Sequence, residues 1–113
     1  MSGSAKDDER ARPEVSVRYV PDAQRFEATV PGSDDVAFLK VKPSPEFWTF
    51  EHTEVPESME GRGVGSELVR QALAHVRERG VTIKPVCPFT AAYLERHSEE
   101  ADVVHPDYRW MVE

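Results

Sequence analysis

The stretch His52-Thr53-Glu54-Val55-Pro56-Glu57-Ser58-Met59-Glu60-Gly61-Arg62-Gly63-Val64-Gly65-Ser66 constrains the fold more than any other part of the chain. It follows the strongest strand candidate, Phe47 to Phe50, crosses a turn marked by Pro56, and runs through three alternating glycines into the best amphipathic helix. Strand, glycine loop and helix in that order make an anion cradle. Glycine lets the backbone approach a ligand closely, and the unpaired N–H groups and positive dipole end of a helix start attract phosphate. A Walker A loop is ruled out, because it needs Lys and then Ser or Thr after its last glycine, and Gly65 is followed by Ser66 and Glu67. A dinucleotide fingerprint fits poorly: Gly61-x-Gly63 leads to Ser66 where the third glycine belongs, and other strands come first.

The chain before this stretch has the period of a sheet. Val15-Ser16-Val17-Arg18-Tyr19 and Phe26-Glu27-Ala28-Thr29-Val30 alternate with period two, and the turn-forming Pro21-Asp22-Ala23-Gln24 joins them as a hairpin. Pro31 to Asp35 ends the second strand, Val36 to Val41 reads as a third, and Glu46 to Glu54 follows Pro43-Ser44-Pro45 as a fourth. An antiparallel meander is the natural arrangement. From Gly63 the period changes to that of a helix, with Leu68, Val69, Ala72, Leu73 and Val76 on one face and Gly80 closing it. Val81 to Val86 is then a fifth strand, parallel to the fourth because it follows a crossover helix. Phe89 to His97 forms a short final helix, aided by Ala91 and Ala92. Ser98 to Glu113 is expected to dock as a short helix or strand, and residues 1–13, without apolar periodicity, as a mobile tail before a domain at 14–113.

Composition sets the remaining limits. A chain of 113 residues holds one core and is too short for two. Its net charge of −7 argues against a nucleic-acid scaffold, which needs a basic face, and leaves room for an amine or Lys-rich acceptor. No apolar run approaches the roughly 20 residues of a membrane span and no signal-peptide core follows Met1, so a cytoplasmic location is expected, with no membrane partner. Cys87 stands alone, which excludes an intramolecular disulfide and a thiolate zinc cluster, and no His pair has metal-ligand spacing.

The segment Glu60-Gly61-Arg62-Gly63-Val64-Gly65 resembles the Gln/Arg-x-x-Gly-x-Gly/Ala loop of the Gcn5-related N-acetyltransferases (GNAT superfamily), whose amides hold the pyrophosphate of acetyl-coenzyme A. His52-Thr53-Glu54-Val55-Pro56, the glycine loop, Cys87-Pro88-Phe89 and Tyr93-Leu94-Glu95-Arg96-His97, in that order, are similar to the short single-domain branch of the YjdJ type. The likeness runs from Phe26 to Val104, with one departure: Glu60 stands where the family has Arg or Gln, which adds negative charge beside a diphosphate.

The resemblance implies the α+β acyl-CoA N-acyltransferase fold, grouped with three-layer α/β folds. Here the two helices that follow the first strand in larger members are missing, because the link from Tyr19 to Phe26 is too short for them. The acceptor side is therefore expected to be shallow and open. The resemblance also implies that the fourth and fifth strands splay past a bulge in the fourth. The pantetheine arm fills the gap against the backbone of Thr53, Glu54 and Val55, while Arg62, Gly63, Val64, Gly65 and Ser66 face the diphosphate. Cys87, Phe89, Tyr93, Arg96 and His97 complete the implied cofactor side.

The catalytic candidates follow from what acyl transfer to an amine needs. The ammonium must lose a proton before it attacks, so Glu54 is a candidate general base; alternation sets His52 on the same face, where it can share that role, unless a bulge intervenes. Each also reads as a solvated or structural group. Cys87 is either a transient acetyl carrier or a small buried residue, and Tyr93 either protonates the departing thiolate, as the resemblance implies, or packs its ring on the sheet. The expected function is acetyl-CoA-dependent transfer to an amine, on a protein Lys, a protein N-terminus or a small molecule, by a monomer or weak dimer. The rivals are a coenzyme A-binding module with little or no transferase activity and an interaction domain whose glycine loop is only a turn.

Overall fold

The computed structural model describes residues 14–112; the expected tail at 1–13 lies outside them. Five strands form one sheet in sequence order: β1 (Ser16–Val20), β2 (Arg25–Thr29), β3 (Ala37–Pro43), β4 (Phe47–Glu54) and β5 (Thr82–Pro85). The first four pair antiparallel and β5 runs parallel to β4. The turn between β1 and β2 is a single 3-10 turn, Pro21–Ala23, closed by Gln24 in the left-handed region at φ 52. It brings Tyr19 opposite Phe26 and leaves no room for a helix.

Strict alternation then sorts the side chains. Phe26, Ala28, Leu39, Val41, Trp48 and Phe50 are buried on one face, and helix α1 (Val64–Glu78) lays Leu68, Val69, Ala72, Leu73 and Val76 onto them. Each large apolar side chain so buried contributes roughly 1.5–3 kcal/mol, which is why this interface carries the fold. At the far end of α1, Gly80 at φ +69 turns the chain, with Val81 N–H donating to Val76 C=O and Gly80 N–H to Arg77 C=O. That pairing satisfies carbonyls the helix end leaves open. The crossover returns to β5, and helix α2 (Pro88–Arg96) packs beside α1.

Beyond α2 the chain forms two 3-10 segments, Ser98–Val103 and Pro106–Val112, rather than one helix or strand. Between them Val104 bridges Ile83 and His105 N–H donates to Ile83 C=O, which lengthens the β5 edge by one rung. Tyr108 then packs on Phe47, with the Lys84 ammonium 4.7 Å from its ring centre. Helix α1 covers one face of the sheet, while on the other the Tyr108 ring from the last 3-10 segment covers only the β5 end, over Phe47 and Lys84. The other face exposes Arg18, Lys40, Lys42, His52 and Glu54.

Candidate functional site

The site begins with a register shift. Lys40 lies opposite His52 but Val41 lies opposite Phe50, so Glu51 is an extra residue in β4. Such a bulge inverts the alternation beyond it. Trp48 and Phe50 point into the core, yet after the bulge Thr53 turns to that side, while His52 and Glu54 stay together on the open face. The parallel pairing ends at the same place. Pro85, opposite Phe50, has no N–H to offer, and the last bond across the gap runs from Cys87 N–H to Phe50 C=O at 2.7 Å. Past Phe50 the β5 side of β4 has no strand partner among the described residues.

The glycine loop closes the other wall. After Pro56 a 3-10 turn, Glu57–Met59, anchors itself by the fully buried Met59. Gly61 at φ +78 and Gly63 at φ +74 then take left-handed conformations that strain other residues. Gly63 caps α1, and the first intrahelical bond is Glu67 N–H to Gly63 C=O at 3.1 Å. The N–H groups of Val64, Gly65 and Ser66 meet no acceptor among the described residues. Gly65 is needed for space: a Cβ there would lie 2.6 Å from Cζ of Phe89, whose ring rests on the first turn of α1.

A cavity of about 340 Å³ lies between these walls. Of the expected cofactor contacts, Thr53, Val55, Gly63, Val64, Gly65, Ser66 and Phe89 line it. Met59, Glu60 and Gly61 join them. Met59 was unmarked as a site residue in the sequence; its only signal was a large apolar side chain inside a polar loop. The lining suits part of a long anionic ligand. Free amides at a helix start take phosphate, and an open strand edge takes amide groups. Glu60 is the opposing charge in the lining, whereas Arg62 is exposed at the loop with no ion-pair partner among the described residues.

The other candidates lie outside this lining. Cys87 is 1% exposed, its Sγ 3.1 Å from Oγ1 of Thr53, so it sits behind that side chain. Glu54 and His52 form a pair, Oε2 to Nε2 3.0 Å, with side chains 62% and 55% exposed on the open face. The Tyr93 hydroxyl donates to the Glu100 carboxylate at 2.9 Å. Burial, and then that carboxylate, push its phenol well above the ordinary range, so it stays protonated. His97 stacks on Tyr93 at 4.3 Å between ring centres, and Arg96 is exposed. Among the described residues no group of His, Cys, Asp and Glu is placed to hold a metal ion, and no helix is long and apolar enough to cross a membrane.

A four-stranded meander, a bulged fourth strand parting from a parallel fifth, and a glycine loop feeding the crossover helix define the α+β fold of acyl-CoA N-acyltransferases. Residues 25–103 match the family described as GCN5-related N-acetyl-transferase, and the chain belongs to that family. No curated protein matches the chain.

Proposed function

We propose that this chain is an acetyl-CoA-dependent N-acetyltransferase of minimal size that acts on an amine. The observation that carries the reading is a single cavity lined both by Val64, Gly65 and Ser66, whose N–H groups meet no acceptor among the described residues, and by Thr53 at the end of β4 with Val55 just past it. The amides of the α1 start hold the diphosphate, and exposed Arg62 adds a positive charge beside it. The backbone of Thr53, Glu54 and Val55 pairs with the amide-bearing arm, and a strand N–H polarises the carbonyl under attack. Bound acetyl-CoA supplies the acetyl group and a thiolate leaving group.

The chain's own groups handle the protons. Glu54, held by His52, faces the open side of the sheet, where it takes a proton from an arriving ammonium directly or through water. Cys87 offers a second route, in which its thiol loses a proton and carries the acetyl group before the amine attacks. Its burial behind Thr53 favours direct transfer. Tyr93 must release Glu100 before it can protonate a leaving thiolate.

Thermal unfolding with acetyl-CoA and with coenzyme A tests this reading. Both should raise Tm increasingly with concentration. Arg62→Glu, at an exposed site without an ion-pair partner among the described residues, should fold normally and need about tenfold more ligand for the same shift, the scale of a lost charged contact. No shift with either ligand would remove the reading. A second reading, a coenzyme A-binding module without transfer, is favoured by the absence of Cys87 and Tyr93 from the lining; it expects the same shifts but no coenzyme A release with any amine.

A further inference from the structure

The open face of the sheet differs in charge from the molecule that carries it. The whole chain is at −7, yet the strand residues facing away from the helices include Arg18, Arg25, Lys40, Lys42 and Lys84. Glu27 is paired with both Arg25 and Arg18, Glu54 is hydrogen-bonded to His52, and the Lys84 ammonium rests on the Tyr108 ring. Lys40 and Lys42 are exposed and have no ion-pair partner among the described residues. Glu51 in the bulge, Glu46 at the β3–β4 turn and Asp107 beyond β5, which lies 3.9 Å from the His105 ring, are the nearby carboxylates without a Lys or Arg partner among the described residues.

The lysines have a fixed layout around the candidate base. Lys40 lies directly opposite His52 across β3 and β4. Lys42 lies opposite Thr49, and Thr49 is opposite Lys84, so the two lysines flank β4 from both sides. With strands about 4.8 Å apart, their stems stand roughly 10 Å from each other. Half-buried Thr49 lies between Lys42 and Lys84, and half-buried Phe38, opposite Glu54, carries the Arg25 guanidinium 4.6 Å from its ring centre. At physiological salt, exposed charges act over about 8 Å, so the Lys40 and Lys42 ammonium groups, which have no ion-pair partner among the described residues, act on anything resting beside them.

Building on the amine acetyltransferase reading, we propose that this face docks the acceptor and that the acceptor is an acidic peptide. Its carboxylates meet Lys40, Lys42 and Lys84 while its amine reaches the His52–Glu54 pair. The face is too open to enclose a small molecule, since His52 and Glu54 are more than half exposed. Cations spread over several ångströms match an extended chain with more than one carboxylate. A Lys- or Arg-rich tail meets repulsion at each of the same positions.

Two fluorescein-labelled peptides of equal length decide this, each with one acceptor lysine, one flanked by Glu and Asp and the other by Arg. Fluorescence anisotropy without acetyl-CoA should show the acidic peptide binding at least tenfold more tightly. Lys40→Glu with Lys42→Glu should erase that preference, and Lys40→Gln with Lys42→Gln should reduce it without introducing repulsion. Equal or tighter binding of the Arg-flanked peptide, or an unchanged ratio in both variants, overturns the proposal. Mass spectrometry of the same mixtures with acetyl-CoA separates the two readings. Preferential binding without acetylation sustains the docking surface and removes the transferase, whereas equal acetylation of both peptides sustains the transferase and removes the docking surface.

Discussion

Gly65 and Phe89 both line the cavity, and their contact sets what a side chain costs there. Gly65 lies in the first turn of α1, so Ala would gain helix propensity but collide with the Phe89 ring. Gly65→Ala is expected to destabilise the protein by about 1 kcal/mol, and to stabilise it by several tenths of a kcal/mol in a Phe89→Ala background. Denaturant unfolding of the four proteins in a double-mutant cycle checks the sign reversal. At this scale the glycine positions were legible in the sequence because conformation and close approach leave a compositional mark. The direction of Thr53 was not. Alternation from Trp48 sends Thr53 outward, and only the extra residue at Glu51 turns it to the cavity; nothing in Phe50-Glu51-His52 marks that insertion. His52 and Glu54 stay on one face, as alternation expected, because the bulge precedes them both.

The α1–sheet interface adds a titrating group to an otherwise apolar contact. His75 sits 5.1 Å from Phe26 and 5.3 Å from Tyr19, ring centre to ring centre. Burial, and then the Arg79 charge, lower its pKa from the ordinary 6.5, so the folded state resists a proton that the unfolded state accepts. Above the unfolded value both states are neutral and His75 has no pH effect. Below it the unfolded state gains protonation free energy, and stability falls as pH drops through about 6.5. Tm is therefore expected to decline between pH 7.5 and 5.5, and His75→Gln to flatten that slope; an unchanged slope would place the titration elsewhere. Elements with a strong period were legible: four strands, the amphipathic helix and the parallel return all follow from spacing. The end of the chain was not, because Val104, Tyr108 and Val112 have no single period, and their 3-10 turns are fixed by contacts with Ile83, Phe47 and Lys84.

Across the whole molecule, pairing is local everywhere except once. β1, β2 and β3 each pair with the next strand through a short connection, whereas β4 meets β5 only after the crossover helix has formed and returned. Closing that longer loop costs more entropy before any contact compensates it. Leu39→Ala, in the meander, is expected to slow folding, while Ile83→Val, in β5, should mainly accelerate unfolding; chevron kinetics of both variants would show it. The splay between β4 and β5, ended at Pro85 and Phe50, belongs to this late step. A growing chain on the ribosome thus holds its first four strands while the gap between β4 and β5 does not yet exist. Only when β5 and the start of α2 have emerged do Thr53 and the loop amides acquire their facing wall, so ligand can rescue the finished protein but cannot act as a template for its early folding.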